Sequence, residues 1–131
     1  GGSKRITRKN IKEFNGKPII AYSIEAAIES NCFDSVIVST DDKEIATIAK
    51  SYGADTPFIR PSSLSDDYTT ISDVVKHAVH WYDNNIGSVE LACCIIATAP
   101  FLQSEYILKG LKELLSLKSA FSFSFLPTMD K

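Results

Sequence analysis

Ser35-Val36-Ile37-Val38-Ser39-Thr40 is a short, β-branched, apolar run, and residues at helical spacing flank it on both sides. Such a run predicts a strand buried on both faces, as in a parallel sheet covered by helices. Before it, Pro18 suits a first helical turn. Ile19, Ile20, Ser23, Ile24, Ala27 and Ile28 then continue on one face to an end near Asn31. After it, Asp41 or Asp42 is placed to cap a helix through Ser51, with Ile45, Ile48 and Ala49 inward and Gly53 as its stop.

The pattern repeats downstream. Tyr52 to Thr70 is loop-like, with Pro57, Pro61 and a Ser/Asp cluster. Ser72 or Asp73 starts a helix that runs through His77, Trp81 and Tyr82 to about Asn85. Val89–Ile96 predicts a second buried strand, Pro100 breaks the chain, and Ser104 caps a helix to about Leu117. Ser119–Phe125 predicts a third strand, in which Phe121, Phe123 and Phe125 alternate as buried strand residues do. Strand alternating with helix predicts an α/β fold: a three-layer α/β/α sandwich around a mainly parallel, Rossmann-like sheet. The 131 residues make one domain, and 44% of them are apolar, enough for a small core.

Ligands of parallel sheets gather beyond the carboxyl ends of the strands. Thr40-Asp41-Asp42 and Ala97-Thr98-Ala99-Pro100 lie at two such ends. A third polar segment opens the chain: Gly1-Gly2-Ser3-Lys4-Arg5-Ile6-Thr7-Arg8-Lys9-Asn10. Its glycines let backbone N–H groups approach a ligand, Ser3 adds a hydroxyl, and Lys4, Arg5, Arg8 and Lys9 supply charge for a polyphosphate. The plainer reading is a solvated basic terminus. Net charge is only −2, so this basic head sits on a mildly acidic body. That asymmetry favours a local anion site over a nucleic-acid surface, which needs a basic face.

No apolar run approaches the roughly 20 residues that cross a bilayer. Cys32, Cys93 and Cys94 are odd in number and lack metal-ligand spacing, which predicts reduced core thiols in a cytoplasmic protein. Asp41 and Asp42 are paired carboxylates at a strand end, but helix capping explains them better than metal binding does. His77 and His80, three apart beside Trp81 and Tyr82, are expected to be structural or partner-facing.

Several segments in order now make a family resemblance. Gly1–Asn10 resembles the second half of a signature in which a Pro-Ala-Arg turn precedes a Gly-Ser-Lys-rich loop ending in Lys-Asn. Phe14-Asn15-Gly16-Lys17-Pro18-Ile19 and Val36-Ile37-Val38-Ser39-Thr40-Asp41 continue it. Phe58-Ile59-Arg60-Pro61 with Leu64-Ser65-Asp66-Asp67, and then Ala97-Thr98-Ala99-Pro100, complete it. Together they resemble the acylneuraminate cytidylyltransferases, the CMP-sialic acid synthetases and their pseudaminic and legionaminic relatives. Their fold is of the nucleotide-diphospho-sugar transferase type.

The resemblance implies transfer of CMP from CTP to the anomeric hydroxyl of a nine-carbon keto-sugar acid, with release of pyrophosphate. It further implies a Mg²⁺ cofactor and catalysis mainly by positioning and charge neutralisation. Carried over residue by residue, Gly2, Ser3, Lys4, Arg5, Lys9 and Asn10 match the loop at the nucleotide, with Lys4 and Lys9 in the catalytic role. Arg5 stands where many sialic synthetases have glycine. Arg60 matches an arginine that reads cytosine, its plainer reading being an ion pair with Asp66 or Asp67. Thr69 and Thr70 match a segment whose backbone lines the base pocket, with helix capping as the alternative.

Ile96, Ala97 and Thr98 fall near the sugar. Sialic synthetases generally carry a glutamine at the position of Ile96, and an apolar residue cannot replace its hydrogen bond. Pseudaminic acid, or another deoxy-sugar ending in a methyl group, is therefore favoured over sialic acid.

The family pattern also leads to the expectation of an incomplete domain over 1–131. The opening strand, an Asp-x-Asp metal pair and the dimerisation segment have no counterpart here. Mg²⁺ ligands are accordingly expected mainly outside these residues, a homodimer only in the complete protein, and little transferase activity from this stretch alone. Two rivals stand beside this reading. One is a nucleotidyltransferase for another sugar, such as an eight-carbon acid, although those relatives open with Ser-Thr-Arg. The other is a non-catalytic nucleotide-binding α/β module.

Overall fold

The computed structural model describes residues 11–66, 68–95 and 104–117. A hairpin comes first, pairing β1 (Glu13–Phe14) antiparallel with β2 (Lys17–Pro18). Its two-residue turn places Asn15 at φ 50° and Gly16 at φ 91°, the left-handed pair that an Asn-Gly turn supplies at low cost. Tyr22 reaches back from the following helix to donate to the Phe14 carbonyl, and its ring meets Phe14 edge-on at 5.8 Å. Lys17 Nζ bonds Glu25 Oε1 at 2.5 Å and sits 4.6 Å above the Tyr22 ring. The hairpin is thus fastened to the helix it precedes.

That helix, α1 (Ile19–Glu29), starts one residue after Pro18, which serves as N-cap rather than as a helical residue. Ile20, Ala21, Ser23, Ile24, Ala26 and Ala27 are buried along it. Ile28, expected inward, is 42% exposed. Helix α2 (Lys43–Ser51) is capped by Asp42, whose side chain accepts from the N–H groups of Glu44 and Ile45. It ends where expected, with Gly53 at φ 101°. Helix α3 (Ile71–Asn85) begins at the Thr70 cap, earlier than the sequence predicts, and α4 (Ser104–Leu117) has the predicted limits.

Two apolar clusters hold these pieces together. Ile20, Ile24, Ile45, Ala49 and Ala54 form one, with Val36, Val38, Ile48 and Tyr52 packed against it. Ala26, Ala27 and Ile107 form the other, with Cys32, Phe33, Val36 and Ile95 at its border. Val36 touches both, so α1, α2 and α4 assemble around the predicted strand. Burying a side chain the size of Ile45, which is 2% exposed, contributes about 2 kcal/mol.

The sheet is the main departure from expectation. The segment at Val36–Val38 is extended and forms a parallel bridge, Ile37 to Asp55. Asp55 N–H donates to the Val36 carbonyl at 2.8 Å, and Val38 N–H donates to the Asp55 carbonyl at 2.9 Å. Among the described residues no wider parallel sheet forms around it. Residues 89–95 adopt no strand, contrary to the expectation for Val89–Ile96. The physical reason is pairing: a strand exists only with a hydrogen-bonded neighbour, and no described backbone pairs with 89–95.

Consequently Cys93 and Cys94 are exposed, correcting the assignment of core thiols, while Cys32 is half-buried. Packing about the sulfurs nevertheless pushes the Cys93 and Cys94 thiols above their ordinary value, and neighbouring Cys94 and Cys32 add to the effect on Cys93. The predicted third strand, Ser119–Phe125, lies outside the described residues.

Candidate nucleotide site

The carboxyl end of the extended segment is tied to two other elements. Buried Thr40, 4% exposed, accepts from Arg60 N–H on its carbonyl at 2.8 Å and from Asp42 N–H on Oγ1 at 3.1 Å. These bonds bring the arginine loop and the amino end of α2 to one point, where a parallel strand presents its ligand side.

The Arg60 side chain is fixed there. Nη1 donates to the Ser39 carbonyl at 2.9 Å and to Ser39 Oγ at 3.4 Å, while Nε donates to Ser65 Oγ at 3.3 Å. Asp66, the ion-pair alternative, is otherwise engaged. Its Oδ1 accepts from Tyr68 N–H at 3.0 Å and from the Thr69 hydroxyl at 2.9 Å. Asp67 lies outside the described residues. Of the five guanidinium N–H donors, those on Nη2 have no acceptor among the described residues.

Thr69 and Thr70 are organised by α3. Thr70 and Asp73 form a reciprocal capping box: the threonine hydroxyl accepts from Asp73 N–H, and Asp73 Oδ2 accepts from Thr70 N–H, each at 3.1 Å. Thr69 N–H donates to the Asp66 carbonyl at 3.3 Å. The N–H groups of both threonines are therefore occupied within the protein, and capping accounts for the Thr70 side chain. Only the carbonyl of Thr69 has no donor among the described residues. Phe58, two residues before Arg60, packs edge-on against His77 at 4.7 Å and tilted against Trp81 at 5.7 Å. His77 belongs to that packing, as expected of a structural histidine.

Gly2, Ser3, Lys4, Arg5, Lys9 and Asn10 lie outside the described residues, as do Ile96, Ala97 and Thr98. Among the described residues no group of three or more His, Cys, Asp or Glu side chains could hold a metal ion. Ser39 and Ser65 escape sequence reasoning, because a serine carries no signal of its own in a polar loop. The available clue is the short spacing from Arg60 through Pro61 to Ser65, which returns the chain on itself.

The chain is 44% identical over 124 residues to a pseudaminic acid cytidylyltransferase of Campylobacter jejuni, covering 95% of this chain and 53% of that protein. It is 38% identical over 111 residues to an N-acylneuraminate cytidylyltransferase of Escherichia coli, covering 85% of this chain and 25% of that protein. The chain thus spans about half the length, or less, of these curated relatives. A solved CMP:2-keto-3-deoxy-manno-octonic acid synthetase in complex with CTP superposes with a TM-score of 0.71 at 20% identity. That alignment covers 90% of this chain and 45% of the synthetase, and it establishes the type of fold. A family model described as cytidylyltransferase matches residues 1–131, the whole sequence, and the chain belongs to that family.

Proposed function

We propose that this chain carries the nucleotide-binding part of a CTP-dependent cytidylyltransferase acting on a nine-carbon keto-sugar acid. The sugar's anomeric oxygen attacks the α-phosphorus of CTP, a new P–O bond forms to CMP, and pyrophosphate leaves. Negative charge grows on the phosphoryl oxygens, which the basic loop with Lys4 and Lys9 is suited to neutralise. Arg60 meets the base. Cytosine offers two acceptors, its carbonyl oxygen and N3, whereas uracil presents an N–H at N3. A fixed arginine donor facing that position would be left opposite another donor, which penalises uracil.

The observation that carries this reading is the anchored Arg60, held at the carboxyl end of the Val36–Val38 segment by Ser39, Thr40 and Ser65. Pseudaminic acid is the favoured acceptor. Support comes from Ile96 in place of a glutamine and from the 44% identity to a pseudaminic acid enzyme. The described carboxylates do not gather into a Mg²⁺ site. The working form in this reading is a cytoplasmic homodimer using Mg²⁺ held by other residues. No described helix is long and apolar enough to cross a membrane.

Two measurements on the protein at its natural full length test the proposal. Thermal melting with CTP, UTP and ATP should show selective stabilisation by CTP, worth about 2.7 kcal/mol at a hundred times the dissociation constant. An equal response to all three would replace the proposal with generic phosphate binding. Turnover with pseudaminic and sialic acids should favour the former, and the opposite preference overturns the choice of sugar.

A further inference from the structure

We infer that Ser65, assisted by Ser39, is a positioning residue for cytosine recognition, holding the Arg60 fork in its ligand-facing orientation before any nucleotide arrives. The inference deepens the proposed function and rests on the assignment of Arg60 to the base.

Ser65 closes a short, tightly bonded turn. Pro61, at φ −59°, starts a single 3₁₀ turn, Ser62–Leu64. Leu64 N–H returns to the Pro61 carbonyl at 2.9 Å and Ser65 N–H to the Ser62 carbonyl at 3.1 Å. The hydroxyl of Ser65 donates to the Pro61 carbonyl at 2.9 Å. A hydroxyl has one proton and two lone pairs. With the proton committed to Pro61, the oxygen can serve Arg60 only as an acceptor, and Nε donates to it at 3.3 Å.

Ser39 closes the other side. Its carbonyl and hydroxyl both accept from Nη1, so the guanidinium is gripped at two of its three nitrogens by groups 26 positions apart in sequence. Arginine is long and loses much rotamer freedom on binding, so a side chain already held in place gives up less when a ligand engages it. Nη2 has no acceptor among the described residues and is left to meet a ligand. Removing the Ser65 oxygen would release Nε to rotate toward solvent, and discrimination between cytosine and uracil would fall before phosphate affinity did.

The test uses Ser65→Ala, Ser65→Thr, Ser39→Ala, Arg60→Ala and the double variant Ser65→Ala/Arg60→Ala in the full-length protein, with CTP and UTP as competing substrates. Ser65→Ala should raise KM for CTP and lower the CTP-over-UTP preference by about three- to tenfold, with kcat nearly unchanged. Ser65→Thr, which keeps the hydroxyl, should restore the preference. Ser39→Ala keeps the carbonyl contact and should give a smaller loss. It also keeps the idea testable should Ser65→Ala fail to fold. In the Arg60→Ala background Ser65→Ala should change the preference no further, since its effect runs through the arginine.

Three results overturn the inference. If Arg60→Ala leaves the preference intact, the base assignment itself is wrong and Ser65 falls with it. If Arg60→Ala erodes the preference but neither serine variant does, positioning alone is wrong. If Ser65→Ala weakens CTP and UTP equally while lowering the melting temperature, the serine merely stabilises its turn.

Discussion

Gly53 lies directly against Ile28: a Cβ placed on the glycine would stand 2.9 Å from Ile28 Cδ1. The same glycine has φ 101°, a left-handed conformation that side chains resist, and it ends α2 just before Ala54 enters the first core cluster. Ile28 is partly exposed and its terminal methyl can move, so the backbone conformation decides the cost. Gly53→Ala should destabilise the protein by about 1–2 kcal/mol in urea unfolding. Gly53→Asn should cost less, because asparagine tolerates the left-handed region. Equal stability of Gly53→Ala and wild type would remove the conformational argument.

Thr70→Ala should cost about 1 kcal/mol, because it leaves the Asp73 N–H without its cap. The other half of the box depends on pH. Hydrogen bonds from the Thr70 backbone and side chain hold the Asp73 carboxyl below its ordinary value, and Lys76 assists. A lowered folded value means the carboxylate stabilises the fold above the unfolded pKa. That contribution is lost as pH falls through the folded one. The stability gap between wild type and Asp73→Asn should therefore persist at neutral pH and close only below about pH 4. A gap unchanged at pH 3 would show that Asp73 acts other than by its charge.

Helices were more legible than the sheet, and the reason is locality. Asp42, Gly53 and Thr70 each mark a helix end by interactions within a few residues, so the limits of α2 and α3 are readable to within a residue or two. The hairpin was not among the predicted elements, although Asn15-Gly16 is a strong short-range turn signal. Residues 89–95 are different. Their apolarity favours a strand, yet pairing depends on backbone supplied from elsewhere in the fold, which no local pattern encodes. Arg60 was a candidate through family resemblance alone. Its serine clamp was not, because the hydrogen bonds that Arg60 donates to Ser39 and Ser65 depend on how two loops meet.

Cys93 and Cys94 combine exposure with suppressed acidity. The thiolate is the nucleophile, so a raised value lowers its fraction at neutral pH. Alkylation by iodoacetamide at pH 7.5 should be slower than that of a free cysteine. It should accelerate only as pH rises past the ordinary thiol value of about 8.5. Mass-spectrometric mapping of Cys93 and Cys94 over that range provides the check. Rapid labelling at pH 7 would mean that packing around the sulfurs is looser than described.

Asp42 separates a structural carboxylate from a metal ligand. Its Oδ1 accepts from Glu44 N–H at 2.8 Å and Ile45 N–H at 3.2 Å, and its own N–H is fixed by Thr40. An oxygen engaged twice by backbone donors is poorly disposed toward a cation, which would face the positive end of the α2 dipole. Asp42→Ala should lower stability by about 1 kcal/mol, whereas Asp42→Asn, a comparable cap, should lose only a few tenths. In the full-length protein Asp42→Asn should leave the Mg²⁺ concentration for half-maximal activity within about twofold of wild type, since neither cap geometry nor fold is disturbed. A tenfold rise with unchanged stability would transfer Asp42 from the helix cap to the metal centre. It would also move the ion to the same strand end that holds Arg60.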